Sequence, residues 1–204
     1  MPEVLAELLT PPVSADPPRK VWTRDECAAL EEAGLLDPQE YELVGGDLIS
    51  KMGKLRPHVI SATLLMAWLV QTFGFLFVNS EAPIEVAPED NPTNQTVPDL
   101  IVLRQEQSSY FDDNPGPQDL LLLVEVANTG LVFDLTTKAA LYARAGIMEY
   151  WVVDVRGRRL IVHREPGNGA YSSVVAFGEN ESVAPLAAPD SLFAVGGAFP
   201  GTAP

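Results

Sequence analysis

The run L-L-L-L-V-E-V-A at 120–127 constrains this chain more than any other stretch. A continuous apolar segment of that length, bounded by polar loops, reads as a central β-strand covered on both faces. Glu125 lies inside it. An unpaired carboxylate there would be costly, so Glu125 must be neutral, ion-paired or metal-bound. A buried ion pair with a neighbouring element and a functional site both meet that demand.

The neighbouring segments supply possible partners. V-P-D-L-I-V-L at 97–103 reads as a strand with Asp99 just after Pro98. An Asp in that position is often only a turn or cap residue. On a strand beside 120–127, however, Asp99 and Glu125 meet at one edge of the sheet. Hard oxygen ligands of that kind suit Mg²⁺ or Mn²⁺. A helical pattern follows from Asp134, a natural N-cap, to Ala145, with Gly146 as its stop. It carries Lys138. In solvent, that Lys would pair with Asp134 at i, i+4 for only a few tenths of a kcal/mol. Aimed at the carboxylates, it could orient or deprotonate an attacking water and offset phosphate charge. E-Y-W-V-V-D then forms a third apolar strand ending at Asp154, read as structural. Glu42 and His58 are possible third groups, and both also read as structural. Tyr142 and Trp151 sit at core spacing, and Cys27 reads as buried filler.

The rest of the chain frames this centre. Residues 1–20 are Pro-rich and read as a tail. T-R-D-E at 23–26 is a capping box for a helix ending at Gly34. Residues 41–52 alternate around Gly45-Gly46, a hairpin signal. Residues 59–78 carry no charge, which meets the length rule for a membrane span. Ser61, Gln71, Thr72 and Gly74 favour a buried helix from His58 to Phe73 followed by a strand. Arg156-Gly-Arg is a turn, with hairpin strands at 160–163 and 171–176. From Pro185 the sequence is rich in Ala, Pro and Gly and reads as a second tail. The expectation is one domain, 21–184, between tails 1–20 and 185–204. Its class is α/β (α+β), a sheet flanked by helices.

The 204 residues carry 13 Lys and Arg against 28 Asp and Glu, a formal charge of −15. A general nucleic-acid binder normally shows a basic face. A polyanion site here needs a bound cation or local clusters, with Lys51, Lys54 and Arg56, then Arg156, Arg158, Arg159 and Arg164, as candidates. One Cys and two His exclude an intrachain disulfide and a Cys/His metal site. The acidic N-terminus lacks the positive charge of a signal peptide, so a cytoplasmic location is expected. There is no Gly-x-Ser-x-Gly elbow and no phosphate-loop signature.

P-D at 98–99 followed by L-L-V-E-V at 122–126 resembles the PD-(D/E)xK nuclease superfamily. The succession Y-E-L-V-G-G-D-L, P-H at 57–58, V-P-D-L-I-V-L, L-L-V-E-V and D-L-T-T-K-A-A-L-Y-A-R-A-G-I-M-E-Y-W-V-V-D resembles, more closely, the Uma-two family of restriction-endonuclease-like proteins. The likeness covers roughly residues 20 to 180. It implies a restriction-endonuclease-like central mixed sheet flanked by helices, and a Mg²⁺-dependent site cleaving DNA. Asp99 and Glu125 would hold the metal, and a homodimer is expected by analogy. The superfamily pattern wants Lys at position 127, where this chain has Ala127; the resemblance passes that role to Lys138. Asn128-Thr129-Gly130 also departs from the usual Ser-Pro-Ser. A catalytically silent nuclease fold serving as a binding module is the alternative reading.

Overall fold

The computed structural model describes residues 19–51 and 55–200. Residues 52–54, Met52 and Lys54 among them, the first 18 residues and the last four lie outside the described residues. Helix α1 (Arg24–Glu32) opens on the expected capping box: Thr23 Oγ1 accepts from the Glu26 N–H, and the Glu26 carboxylate accepts from the Thr23 N–H. Strands β1 (Tyr41–Val44) and β2 (Asp47–Ser50) pair as a hairpin. Gly45 and Gly46 turn it at φ +59 and +80, the positive pair that a tight two-residue hairpin loop requires. Backbone bonds from Gly46 to Thr93 and from Gln95 to Leu43 clip this hairpin onto the 91–97 loop.

Helix α2 (Arg56–Phe73) buries Ser61, Leu65 and Leu69, one residue per turn on one face. Among the described residues, no helix is long and apolar enough to cross a membrane. Gly74, at φ +96, ends the helix, and a 3₁₀ turn (Phe75–Phe77) leads into the short strand β3 (Val78–Ser80).

β3 is the first strand of a six-stranded sheet in the order β3-β4-β5-β6-β7-β8, with β4 (Leu100–Leu103), β5 (Leu120–Ala127), β6 (Glu149–Asp154), β7 (Arg159–Gly167) and β8 (Ala170–Gly178). Every neighbouring pair is antiparallel except β5 with β6. A parallel pair cannot be closed by a hairpin and needs a crossover. Here the crossover is a helical segment, α3, built from Leu131–Phe133, a π-helical turn at Asp134–Lys138, and Ala139–Arg144. Asp134 is therefore not the N-cap. The helix starts earlier, and the Asp134 N–H already bonds the Gly130 carbonyl.

Strand alternation splits the core. Leu122, Val124 and Val126 of β5 pack with α2, Trp151 and Phe193 on one face. Leu123 and Ala127 pack with Tyr142, Tyr150 and Ile147 on the α3 face. Glu125 shares the parity of the second set and so lies beneath α3.

The C-terminal stretch is not a loose tail within the described residues. β9 (Ser182–Val183) pairs with β10 (Phe193–Ala194), and Phe193, Val195, Ala198 and Phe199 are buried on the α2 face. The wholly buried Glu149 carboxylate accepts the Leu186 N–H at 2.7 Å, together with Trp151 Nε1 at 3.0 Å and Arg164 Nη2 at 2.6 Å. Sparse apolar residues among Ala, Gly and Pro give no periodic signal, so only their packing reveals them. Phe193→Ala is expected to lower stability by about 3–5 kcal/mol. A urea melt checks this, since a true tail would leave the midpoint unchanged.

Candidate active site

The β4–β5 register pairs Leu100 with Val124 and Ile101 with Leu123. One further step sets Asp99 across from Glu125, on the same face. The contact is direct at the backbone: the Val126 N–H donates to Asp99 Oδ2 at 2.8 Å. Pro98 and the early end of β4 leave Asp99 just outside the ladder, so its carboxylate is available for that bond.

Lys138 reaches the same place from above. A π-turn holds one residue more than an α-turn, and such turns are frequent at functional sites. This one turns both Asp134 and Lys138 inward, where each is buried. Lys138 is thus not the solvent-facing partner of Asp134. Its Nζ lies 2.9 Å from Glu125 Oε1 and 2.9 Å from Glu42 Oε2. Tyr142, one turn further along α3, donates its hydroxyl to Glu125 Oε1 at 3.1 Å. Neither of those two bonds uses Glu125 Oε2.

Glu42 and His58, which sequence pattern reads as structural, are drawn into the same cluster. Glu42 points inward from β1 and accepts the Val97 N–H at 3.0 Å with the oxygen that Lys138 leaves. His58, in the first turn of α2, sets Nε2 at 3.1 and 3.2 Å from the two oxygens of Asp99. The site is therefore supplied by β1, α2, β4, β5 and α3. These two possible third groups carry one faint signal: each is a polar residue beside an apolar element. Asp154, read as structural, is so: it accepts from the Gly157 N–H and from Arg159.

Four carboxylates, from Glu42, Asp99, Glu125 and Asp134, face one ammonium and one imidazole. Burial pushes the Glu125 carboxyl well up against the pull of Lys138, and Asp99, Asp134 and Glu42 add to the rise. Burial opposes the charge on Lys138, but Glu125, Glu42 and Asp134 together outweigh it and hold the ammonium well above its ordinary range. Burial, with Asp99 and Glu42 nearby, raises Asp134 to about 7. Burial likewise keeps Tyr142 a phenol, able to donate.

Among the described residues, no group of three or more His, Cys, Asp or Glu side chains is arranged to hold a metal ion. The basic residues beyond β6 are largely committed: Arg158 to Glu179, Arg159 to Asp154 and Arg164 to Glu149.

A mixed sheet with one parallel crossover, and acids meeting at its edge beneath a Lys-bearing helix, defines a fold of the restriction-endonuclease type. A solved structure from Anabaena variabilis ATCC 29413, described as a "putative nuclease belonging to DUF820", shares that fold with a TM-score of 0.62 at 15% identity, covering 87% of this chain and 97% of its own. The Uma2 family, described as "Putative restriction endonuclease", matches residues 25–195, and the chain belongs to it. No curated protein matches.

Lys138→Met would leave Glu42 and Glu125 buried without their cation. The expected loss is about 3–5 kcal/mol at pH 8, shrinking toward pH 5 as Glu125 takes up a proton. Urea unfolding at the two pH values checks both the loss and its direction.

Proposed function

We propose that this chain is a metal-dependent endonuclease hydrolysing phosphodiester bonds in DNA. One observation carries the reading: Asp99 and Glu125, opposed across two buried strands, share a face with Lys138. A buried carboxyl such as Glu125, with a second acid acting on it, is unfavourable unless a function or a counter-ion offsets it. Asp99 and Glu125 are the residues that would hold Mg²⁺ or Mn²⁺. Their hard oxygens fit these ions, and Mg²⁺ commonly takes one or two carboxylates and keeps several waters. When bound, such an ion supplies Lewis-acid polarisation of the phosphoryl group and favours ionisation of water.

The chain's own residues have separable tasks. His58 fixes the Asp99 carboxylate, and the Val126 N–H fixes it from the strand side. Tyr142 and Lys138 together orient Glu125. Lys138 keeps its proton between two carboxylates, so it serves as a positive charge that offsets developing phosphate charge and not as a base. On a chain of charge −15, a bound cation is what lets a polyanion approach. The reading includes a homodimer, in which two copies would present one site to each strand of a duplex.

Calorimetric titration with Mn²⁺ tests the carboxylate pair. Binding is expected in the parent and lost in Glu125→Ala. Plasmid cleavage in the presence of Mn²⁺ should fall at least about 100-fold in Lys138→Met, with the fold checked by circular dichroism. Cleavage at the parent rate would remove Lys138 from the reaction. The sparse donor set supports a second reading, a silent nuclease fold used for binding. Absence of Mn²⁺ binding, both with and without a short duplex, would favour it.

A further inference from the structure

The six-stranded sheet ends in two outer strands, and the chain treats them differently. At one edge, β3 is three residues long, and Glu81 at φ +53 breaks the extended backbone directly after it. So short a strand offers little to an incoming chain. At the other edge, β8 runs for nine residues, A-Y-S-S-V-V-A-F-G, without a charged residue or a Pro. Charge, Pro and shortness are the usual means of keeping an edge from pairing, and β8 has none of them. Among the described residues, no backbone hydrogen bond reaches residues 171–177 from outside the β7–β8 ladder. The outward N–H and C=O groups there are a template for another strand.

The side chains leave the same stretch bare. Val174 stands opposite His163, which packs on Tyr150 on the α3 face, and Val175 stands opposite Val162 on the α2 face. Yet Val174 is 52% exposed and Val175 47%. Neither helical layer covers the middle of β8, so two adjacent valines meet solvent on opposite faces of one strand. Valine is favoured in strands where neighbours cover it.

We propose that β8 is the interface between two copies of this chain, paired antiparallel about a two-fold axis through Val174. Charge selects a second copy. Two chains of charge −15 repel, so they associate best where neither presents a charge. Val174 is the middle residue of β8. A two-fold there opposes Ala170 to Gly178, Ser172 to Ala176 and Val174 to its own counterpart, and every opposed pair is uncharged. The nearest acids are held within their own copy: Glu165 accepts the Ser172 hydroxyl, Glu179 pairs with Arg158, and Glu181 accepts the Gly178 N–H. Such pairing uses the same patch on both partners, as a two-fold contact requires, and it removes the bare edge from each. The inference is independent of catalysis: the edge pairs whether or not the chain cuts DNA.

The test is sedimentation of the full-length chain from about 1 to about 200 µM, a range that brackets micromolar association. The parent should pass from the single-chain mass to twice that mass. Val174→Lys sets like charges directly opposite one another and should weaken association at least about tenfold. Leu35→Lys makes the same change of charge at an exposed apolar position off the sheet and should leave association at the parent level. Hydrogen exchange on the parent at both ends of the range locates the contact: amides within 170–178 should exchange more slowly at the higher concentration. A parent that stays at the single-chain mass overturns the proposal and removes the homodimer from the nuclease reading, while its carboxylate site stands. A dimer that Val174→Lys leaves intact, or that forms without slower exchange at 170–178, lies elsewhere on the surface and overturns the β8 assignment alone. If Val174→Lys fails to fold, as circular dichroism would reveal, exchange on the parent decides by itself.

Discussion

The ammonium of Lys138, held 2.9 Å from both Glu125 and Glu42, is the interaction on which the site depends. Each of the three groups is buried, and none could remain charged there alone. Together they tie the central strand to the crossover helix and to the N-terminal hairpin. Asp99 and Asp134 lie near that pairing and push the Glu125 carboxyl further up.

The sheet topology is what makes the meeting possible. Only β5 and β6 run parallel, so the chain between them must cross one face of the sheet. That crossover lays α3 over the side of β5 that carries Glu125, and the π-turn rotates Lys138 and Asp134 down onto it. A regular α-helix over the same residues would advance each side chain by a different angle. The departure of Ala127 from the superfamily pattern is thus answered in space: the cation comes from the next element and reaches the same carboxylate.

Acidity is distributed to match. Several arginines near the end of β6 are bound to Asp154, Glu179 and Glu149, so they brace turns and the C-terminal strands. Glu149 in particular draws the segment around Leu186 onto the sheet. The stretch from Pro185 reads as a tail because it lacks any period of apolar residues. In the fold, Phe193 and Phe199 close the α2 face, and small residues between them permit the tight turn at Val195–Ala198.

Much of this was written locally and so was legible in the sequence. The buried strand at 120–127, the anomaly of Glu125 within it, Asp99 at a strand head, the Thr23 capping box and the Gly45-Gly46 turn all depend on neighbours a few residues away. Period, capping and positive φ are properties of short segments. Glu42 and His58 were legible only as possible third groups, because they come from β1 and α2 and meet the acids only when both pack against the sheet. The π-turn was not legible, since D-L-T-T-K satisfies an α-helix equally well, and the extra residue lets Lys138 reach the two carboxylates beneath it. Sequence determined which groups need a partner; tertiary packing chose the partner, because burying a charge raises its demand without specifying which distant residue will meet it.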